Sequence, residues 1–497
     1  MLISFKFNNR MIKKFVSIYI ATLLSCSAFT QSYDNNWVFG DSAGLNFSGG
    51  EPSFFYTGIN SHESCASISD SNGNLLFYTN GEKIWNRNNA VMPNGDSIHI
   101  GLLVPGFYPS SITQGVLILP IPESDSEYYL FQIQGDSENQ GIEYSIVDME
   151  LDGGLGDVMH KNLDLNTDTI CEKMQAVKHA NGRDWWLLTC KSANDSTISF
   201  IKYLITPNAI IGPYLQSFTD LTNLGTNSSF SAGQMKFSRN GALLAFTRSY
   251  YIEIWDFDRC TGELSSQQTI HNNVGSYGCE FSSDSRRLFI TKTSTTSYNG
   301  WLYQYCLDCA FPIEETEEII YECEYDYYSL GSLQIGPDDK IYASIAHLNY
   351  KDHVYSVVNN NICVINNPNE GGLACDFDTL VISLEDTRVT FGLPNMPNYK
   401  LGALEGSPCD TLLSITNSNS INIGIQIYPN PTSETIKIVL SQAVKIISIK
   451  TFNYLGEEIA ISFDENLNAL VKNIANGFYI TEILTEKGKL SLSWEKL

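Results

Sequence analysis

The sequence predicts an all-β protein: a β-propeller, expected to have seven blades of about four strands, followed by a small Ig-like β-sandwich. Three observations predict this. Hairpin turns recur every roughly 45–60 residues, apolar residues show almost no helical periodicity, and aromatic residues, which favour strands, make up 12% of the 497 residues. Repeats of this length are typical of propellers, because a single blade cannot bury both of its faces.

Six hairpin units carry the repeat. The clearest one, ASISDSNGNLLFYTNGEKIW at 66–85, turns at Asp70–Gly73 and again at Asn80-Gly81, the dipeptide that a type I′ turn needs. The other five turn near Ser124, Asn181-Gly182, Asn240-Gly241, Asp284-Ser285 and Asp338-Asp339. A seventh blade is expected from pairing of 387–399 with 37–47, which would close the ring. Six or eight blades, or an array of β-sandwiches, are the alternatives.

The net charge of −25 is unevenly distributed. Residues 32–422 carry −28, because 1–31 contribute +4 and 423–497 contribute −1. A surface this acidic repels nucleic acid and anionic lipid, and it suits cations, basic proteins or neutral glycans. Hydrophobic residues make up 43% of the chain, enough for a large core.

The N-terminus has the features of a secretory signal. From Met11, a plausible true start, Lys13 and Lys14 precede an apolar run that is too short to span a bilayer comfortably. We therefore predict a signal peptide at 1–31 and no transmembrane segment in the mature chain. A lipidated Cys26 at the mature N-terminus is the alternative to cleavage near Ala28 to Gln31.

Domain boundaries follow from composition. The propeller is predicted at 32–408, a Ser/Asn-rich linker at 409–422, and a compact unit at 423–497. In that last unit the apolar residues alternate in three stretches, as in the run Ile436, Ile438, Leu440, and this pattern predicts a β-sandwich.

The last unit also carries a recognisable set of motifs: IYPNP at 427–431, TFNYLGEEI at 451–459, IANGFYITEI at 474–483 and the final Lys-Leu. In this order they resemble the type A C-terminal sorting domain of the type IX secretion system of Bacteroidetes. The residues that match the motif are Tyr428, Pro429, Asn430, Pro431, Gly456, Gly477 and Tyr479. The resemblance implies that the type IX machinery is a partner, that the protein is secreted or attached to surface lipopolysaccharide, and that the domain is removed.

The propeller region has a resemblance of its own. The stretches NNWVFGDSAGLNF, ESCASISDSNGNLLFYTNG, SSITQGVLILPIP and FGLPNMPNY are similar to a family of uncharacterised secreted Bacteroidetes proteins. That resemblance implies a fold and no activity.

The stretch VFGDSAG at 38–44 matches the G-x-S-x-G pattern and nominates Ser42 as a nucleophile. Such a serine needs a strand-turn-helix elbow, whereas the residues after Ser42 predict another strand. A turn before a strand is therefore the favoured interpretation.

The positions where inner strands begin are better candidates, because a propeller brings them together at one mouth of its channel. They carry Glu63, Gln114, Glu172, Lys173, Gln234 and Glu280. This polar ring could bind a cation, a sugar or a peptide. Three converging carboxyls should also raise the pKa of one of them. The alternative is an ordinary water-filled axis.

Other features point less clearly to function. The stretch DMELDGGLGD at 148–157 offers oxygen ligands for Ca²⁺ but lacks EF-hand spacing, so no cofactor is predicted and Ca²⁺ stays an alternative. Trp185-Trp186 offers one outward ring for stacking on sugar. Cys306 and Cys309 form a CxxC without the second ligand pair that zinc needs, so disulfides or buried thiols are favoured.

Two functions remain open. The first is a non-enzymatic surface protein that binds or adheres to a glycan or a protein. The second is an extracellular glycoside hydrolase or polysaccharide lyase acting at the channel mouth, with Glu63 and Glu280 as its carboxylate pair.

Overall fold

The computed structural model describes these residues: 32–98, 111–134, 141–194, 197–219, 232–248, 250–293, 300–325, 327–348, 354–410, 425–440, 444–453, 458–485 and 488–497. The predicted signal peptide with Met11 and Cys26, most of the predicted linker, and Gly456 lie outside them. The chain divides into two compact units, Met1–Leu412 and Leu413–Leu497.

The described part of the first unit forms seven consecutive antiparallel sheets, here called blades 1 to 7. Blades 1 and 2 have three strands each: β1 (Asn36–Phe39), β2 (Asp41–Asn46), β3 (Ser53–Asn60), and β4 (Ala66–Ser69), β5 (Leu75–Thr79), β6 (Ile84–Asn86). Blades 3 and 4 have four: β7 (Val116–Pro120), β8 (Glu127–Ile133), β9 (Ile142–Asp148), β10 (Asp157–Asn166), and β11 (Met174–Lys178), β12 (Trp185–Asn194), β13 (Thr197–Ile205), β14 (Ile210–Phe218).

Blades 5 to 7 also have four strands. They contain β15 (Met235–Phe237), β16 (Leu243–Arg248), β17 (Tyr251–Phe257), β18 (Leu264–His271), then β19 (Gly275–Phe281), β20 (Arg287–Thr293), β21 (Gly300–Cys306), β22 (Glu318–Glu322), and finally β23 (Tyr328–Ile335), β24 (Ile341–His347), β25 (Asn361–Ile365), β26 (Phe377–Ser383). Short 3-10 helices lie at Asp152–Gly154, Ile313–Thr316 and Gly372–Cys375.

The predicted turns are where the hairpins form. Each blade uses its strands in chain order, and the first strands of successive blades contact one another, so these are the inner strands around a common axis. Gly241 adopts φ +73° in the turn between β15 and β16, and Asp339 adopts φ +62° in the equivalent turn of blade 7. Turn residues that tolerate positive φ thus set the repeat. The predicted all-β propeller is confirmed.

Ring closure differs from the prediction. The N-terminal strands β1 to β3 form blade 1 by themselves, and residues 387–399 add one isolated bridge, between Asp41 and Arg388. Blade 1 meets blade 7 through aromatic packing, with the ring centroids of Trp37 and Tyr342 5.3 Å apart. The expected strand pairing is therefore replaced mainly by side-chain packing.

Beyond Arg388 the chain follows the propeller axis, and residues 389–404 are here called the axial segment. Its backbone and side chains bond to the inner strands of several blades. Asn395 is the centre of this network: its Nδ2 donates to the carbonyls of Val116 (3.0 Å) and Met174 (2.9 Å), and its Oδ1 accepts from Gln114 (3.1 Å) and Gln175 (3.0 Å). The channel is therefore filled by the protein's own chain.

The second unit is a small sandwich of two antiparallel sheets. One contains β27 (Ile425–Tyr428), β28 (Thr435–Leu440) and β31 (Asn468–Leu470), and the other contains β29 (Ile446–Asn453), β30 (Glu458–Ile459), β32 (Gly477–Thr485) and β33 (Gly488–Lys496). Ile436, Ile438 and Trp494 are buried between them, as their alternation predicts. Tyr479 stacks on Trp494 with ring centroids 4.9 Å apart.

Candidate functional site

The candidate site lies at the channel mouth, where the inner strands begin. Two of the predicted carboxyls, Glu63 and Glu172, meet there around Thr113 and Tyr277, and these four residues are called the mouth cluster. The Tyr277 hydroxyl donates to Glu63 Oε2 over 2.6 Å. The Thr113 hydroxyl lies 3.2 Å from Glu63 Oε2 and 3.2 Å from Glu172 Oε2, and the Thr113 N–H donates to the same Glu172 oxygen.

The mouth cluster favours a protonated acid at Glu63. Burial, followed by the negative charge of Glu172, raises the pKa of Glu63 to about 8, although hydrogen bonds from Tyr277 and Thr113 oppose the shift. A threonine hydroxyl has one hydrogen and can donate to only one of two carboxyls. Near neutral pH the cluster therefore presents Glu63 as a neutral carboxylic acid beside the Glu172 carboxyl. A raised carboxyl pKa was expected here; its main cause is burial, and one neighbouring carboxyl, Glu172, adds to it.

Gln114 and Gln234 lie in the interior and connect blades. The side chain of Gln114 donates to the carbonyl of Met235 over 3.0 Å and accepts from its N–H over 2.7 Å. The Gln234 Oε1 accepts from the N–H groups of Cys279 (3.2 Å) and Leu333 (2.9 Å). Both glutamine side chains, predicted to face a ligand, are held by backbone groups around the axis.

Lys173 is fully buried beside the mouth cluster. Its ammonium group donates to the carbonyl of Ala232 over 2.7 Å. Burial lowers the pKa of Lys173, and the nearby Cys171, Cys190 and Glu172 counteract that effect. Lys173 thus lies behind the mouth cluster, inside the blade, where it bonds to backbone.

Glu280 lies in a different cluster from Glu63. It forms an ion pair with Lys236 (3.2 Å) in which both side chains are buried, and it accepts hydrogen bonds from the N–H groups of Phe281 (3.0 Å) and Ile335 (3.1 Å). The adjoining cavity of about 30 Å³ has room for a water or two. The carboxyl next to Glu63 is therefore Glu172, and the nominated Glu63 and Glu280 pair is replaced by Glu63 and Glu172.

Sequence reasoning missed Thr113, Tyr277 and Asn395. Thr113 directly precedes Gln114, so its place at a strand start was readable from the repeat. Tyr277 lies inside β19, at a register shift between Ser276 and Cys279 in the pairing of β19 with β20. A shift of this kind has no clear sequence signal.

Other nominated residues serve the fold. Ser42 lies at the start of β2 with φ +67°, and its hydroxyl is 3.5 Å from Asp41 Oδ1, in agreement with the turn interpretation. Trp185 and Trp186 are 1% and 5% exposed, so neither offers the expected outward ring. Cys306 and Cys309 are joined in a disulfide, as are Cys260 and Cys409.

Metal ligation has little support in the described part of the chain. Only one group of three ligand-type side chains is closely spaced there, Cys306, Asp308 and Cys309, and its sulfurs are used in the disulfide. The 148–157 stretch forms a turn around Asp152–Gly154 between β9 and β10. Ca²⁺ binding there stays an alternative to the prediction of no cofactor.

A ligand-sized pocket lies at the opposite ends of inner strands β7 and β11, away from the channel mouth. Its volume is about 360 Å³, within the range of small-molecule sites. Tyr33, Trp185 and Tyr399 line it together with Lys178 and Arg183. Burial lowers the pKa of Lys178 to about 7, and its ammonium lies 3.8 Å from the centroid of the Trp185 ring.

Comparison with known structures finds distant likenesses. A candidate 6-phosphogluconolactonase from Bacteroides uniformis ATCC 8492 is 11% identical, with 71% of this chain and 97% of that chain covered and a TM-score of 0.41. A second one, from Bacteroides fragilis NCTC 9343, is 11% identical over 73% and 98%, with a TM-score of 0.38. The β-propeller domain of Myceliophteria thermophila Cps50 (Swd1) is 8% identical over 63% and 93%, with a TM-score of 0.34. No activity is carried over from these proteins.

The search of curated proteins gave no match. Among the described residues, no helix is both long and apolar enough to cross a membrane. Residues 426–494 match the family described as the secretion system C-terminal sorting domain, and they include six of the seven predicted motif residues within the described part of the chain. The chain is thus a secreted or cell-surface β-propeller protein whose residues 426–494 form a type IX secretion sorting domain.

Proposed function

We propose that the propeller is a non-enzymatic binding module, displayed at the cell surface, that takes an extracellular glycan at the mouth cluster. The observation that carries the proposal is the pair of carboxyls that share the Thr113 hydroxyl. With Glu63 protonated, the pair offers a strong donor next to a strong acceptor. A sugar hydroxyl, which is donor and acceptor at once, suits such a pair.

The axial segment supports placing the ligand at the mouth rather than within the channel. Asn395 and its partners occupy the axis below the mouth cluster and use the polar groups there. The acidic propeller surface fits a neutral or cationic ligand better than an anionic one. The proposal includes attachment to surface lipopolysaccharide after sorting. A protein ligand at the mouth and Ca²⁺ at 148–157 are its alternatives.

An enzyme is the second candidate, and one observation favours it. The Oε2 atoms of Glu63 and Glu172 both lie 3.2 Å from Thr113 Oγ1, so they are separated by at most twice that distance, about 6.4 Å. Retaining glycoside hydrolases place an acid and a nucleophile about 5–5.5 Å apart. A raised pKa at Glu63 would suit the acid. A polysaccharide lyase would instead need Tyr277 or Glu63 to move a proton.

A glycan array probed with the mature, exported protein tests the proposal. We expect binding by the wild type, loss of at least tenfold in affinity for the Glu63→Gln/Glu172→Gln double variant, and no change for Ser42→Ala. Arg183→Ala is a matched control in the opposite pocket. Loss of binding in that control, with normal binding by the double variant, would contradict the mouth site.

Reducing-end and unsaturated-product assays on every bound glycan separate the two candidates. Turnover that is lost in the double variant would establish the enzyme and overturn the non-enzymatic proposal. Glycan binding without turnover supports the non-enzymatic proposal.

A further inference from the structure

We propose that Cys171 and Cys190 form a third disulfide in the exported protein, fastening the start of β11 to β12. The two sulfurs lie 2.8 Å apart. Nonbonded carbon atoms settle at about 3.5–4.0 Å, and sulfur is larger, so this contact is already closer than two unbonded atoms favour. A bond of about 2.05 Å needs a movement of less than 1 Å.

The backbone holds the pair in place. The Cys171 N–H donates to the Cys190 carbonyl over 2.8 Å, which fixes the two residues opposite each other where the hairpin of blade 4 begins. The thiols are 2% and 0% exposed. The two sulfurs therefore cannot separate unless the strands of blade 4 come apart.

The surroundings favour the chemistry. Hydrogen bonding from Cys190 and the buried Lys173 cation lower the pKa of Cys171 to about 6 against the effect of burial, so this sulfur is the better nucleophile of the two. The oxidant is a disulfide of a thiol oxidoreductase in the compartment outside the inner membrane. The Cys171 thiolate attacks that disulfide and releases one thiol. The Cys190 thiolate then displaces the second, leaving one new S–S bond and two reduced thiols on the oxidant.

Burial determines when the reaction takes place. An external oxidant reaches these sulfurs only before blade 4 closes, and a reductant reaches them afterwards only if the blade opens. The cross-link would also fix the strand start that carries Glu172 and Lys173, the two residues that follow Cys171 directly. It thus supports the base of the mouth cluster without taking part in binding.

Thiol mapping of the mature, exported protein tests the inference. The protein is denatured with an alkylating reagent present and no reductant, then reduced and labelled with a second reagent. We expect Cys171 and Cys190 to take only the second label and to appear as a joined peptide before reduction. Cys65, a buried free cysteine, is the control and should take the first label.

Two variants complete the test. Cys171→Ala should leave Cys190 open to the first label, and Cys190→Ala should do the same for Cys171. Each variant should also have a Tm about 5 °C lower than that of Cys65→Ala. The Cys65→Ala control loses the packing of a buried cysteine but no disulfide. First-label modification of both cysteines in the wild type, to the same extent as Cys65, or a joined peptide with another partner would overturn the proposal.

Discussion

Gly392 in the axial segment lies directly against the backbone carbonyl of Glu63: a Cβ at position 392 would be 1.7 Å from that oxygen. The Gly392 N–H also donates to the carbonyl of His62 over 3.2 Å. The axial segment and the mouth cluster are therefore packed as one body. The backbone conformation at Glu63 depends on the absence of a side chain at position 392.

Substituting Gly392 should disturb both the axial segment and the mouth cluster. In Gly392→Ala the new methyl group cannot fit, so the axial segment or the Glu63 backbone must move, and we expect a loss of about 2 kcal/mol or more of unfolding free energy. If the mouth cluster binds the glycan, the affinity for that glycan should fall together with the unfolding free energy. Gly402→Ala is the matched control, because a Cβ there meets nothing within 4 Å. Equal denaturation midpoints for the two variants would contradict this packing.

Removing the Asn395 side chain should destabilise the propeller strongly. Asn395→Ala leaves two amide donors and two carbonyl acceptors in the interior without their partner, and we expect a loss of at least about 3 kcal/mol in urea unfolding. Asn398→Ala, at a half-buried position, loses two hydrogen bonds, from its Nδ2 to the Arg239 carbonyl and to its Oδ1 from the Lys400 N–H, and should cost less, about 1–2 kcal/mol. A loss below 1 kcal/mol at position 395 would show that the axial segment is not part of the folded core.

The pH dependence of stability should reflect Glu63. The folded protein holds this proton to about pH 8, whereas the unfolded chain releases it near the ordinary pKa of 4.5. The folded state therefore binds more protons between these values, so the unfolding free energy falls as pH rises through this window. In Glu63→Gln that fall should be smaller, measured as Tm at pH 5, 6.5 and 8. Glu405→Gln, at an exposed position, should follow the wild type.

Glu280 should matter for stability and not for ligand binding. Lys236→Met leaves its buried carboxyl without the cation 3.2 Å away, and we expect a loss of about 3 kcal/mol. The double variant Lys236→Met/Glu280→Gln should regain part of that loss, because no lone charge remains. Glycan affinity should stay within about twofold of the wild type in every variant that folds. A tenfold loss would return Glu280 to the binding site.

Deleting 426–497 should hold the propeller in the periplasm, because those residues contain the sorting domain. Cell fractionation and surface protease accessibility measure the outcome. Glu405→Gln in the full chain controls for expression and should reach the surface. Normal display of the deletion variant would contradict export through this domain.

The blades could be predicted because each one is specified locally. Asn240-Gly241 and Asp338-Asp339 force their turns whatever lies around them, and the strands on either side alternate with period two. The axial segment could not be predicted in the same way. FGLPNMPNY has no strand periodicity, and the partners of Asn395 lie as far as 281 residues away, so nothing near it in the sequence indicates what it bonds to.

The candidate site was predictable in part for the same reason. Glu63 and Glu172 occupy equivalent places in their repeats, so counting from the turns brings them together. Glu280 precedes its turn at a shorter distance than Glu63 does, and the shift in β19 changes its level along the axis. The height of a side chain along the propeller axis depends on such register shifts. Packing between strands determines these shifts, and the local sequence does not indicate them.

The axial segment also determines the order in which the ring can be completed. Its residues leave the ribosome after all seven blades, so the amide hydrogens of Gln114 and Gln175 that bond Asn395 lack that partner until it arrives. Contacts over so long a stretch of chain form slowly, because a large loop must close first. The axial segment is therefore expected to be the last part of the propeller to pack. Until 389–404 takes its place, the axis that it fills stays open to solvent.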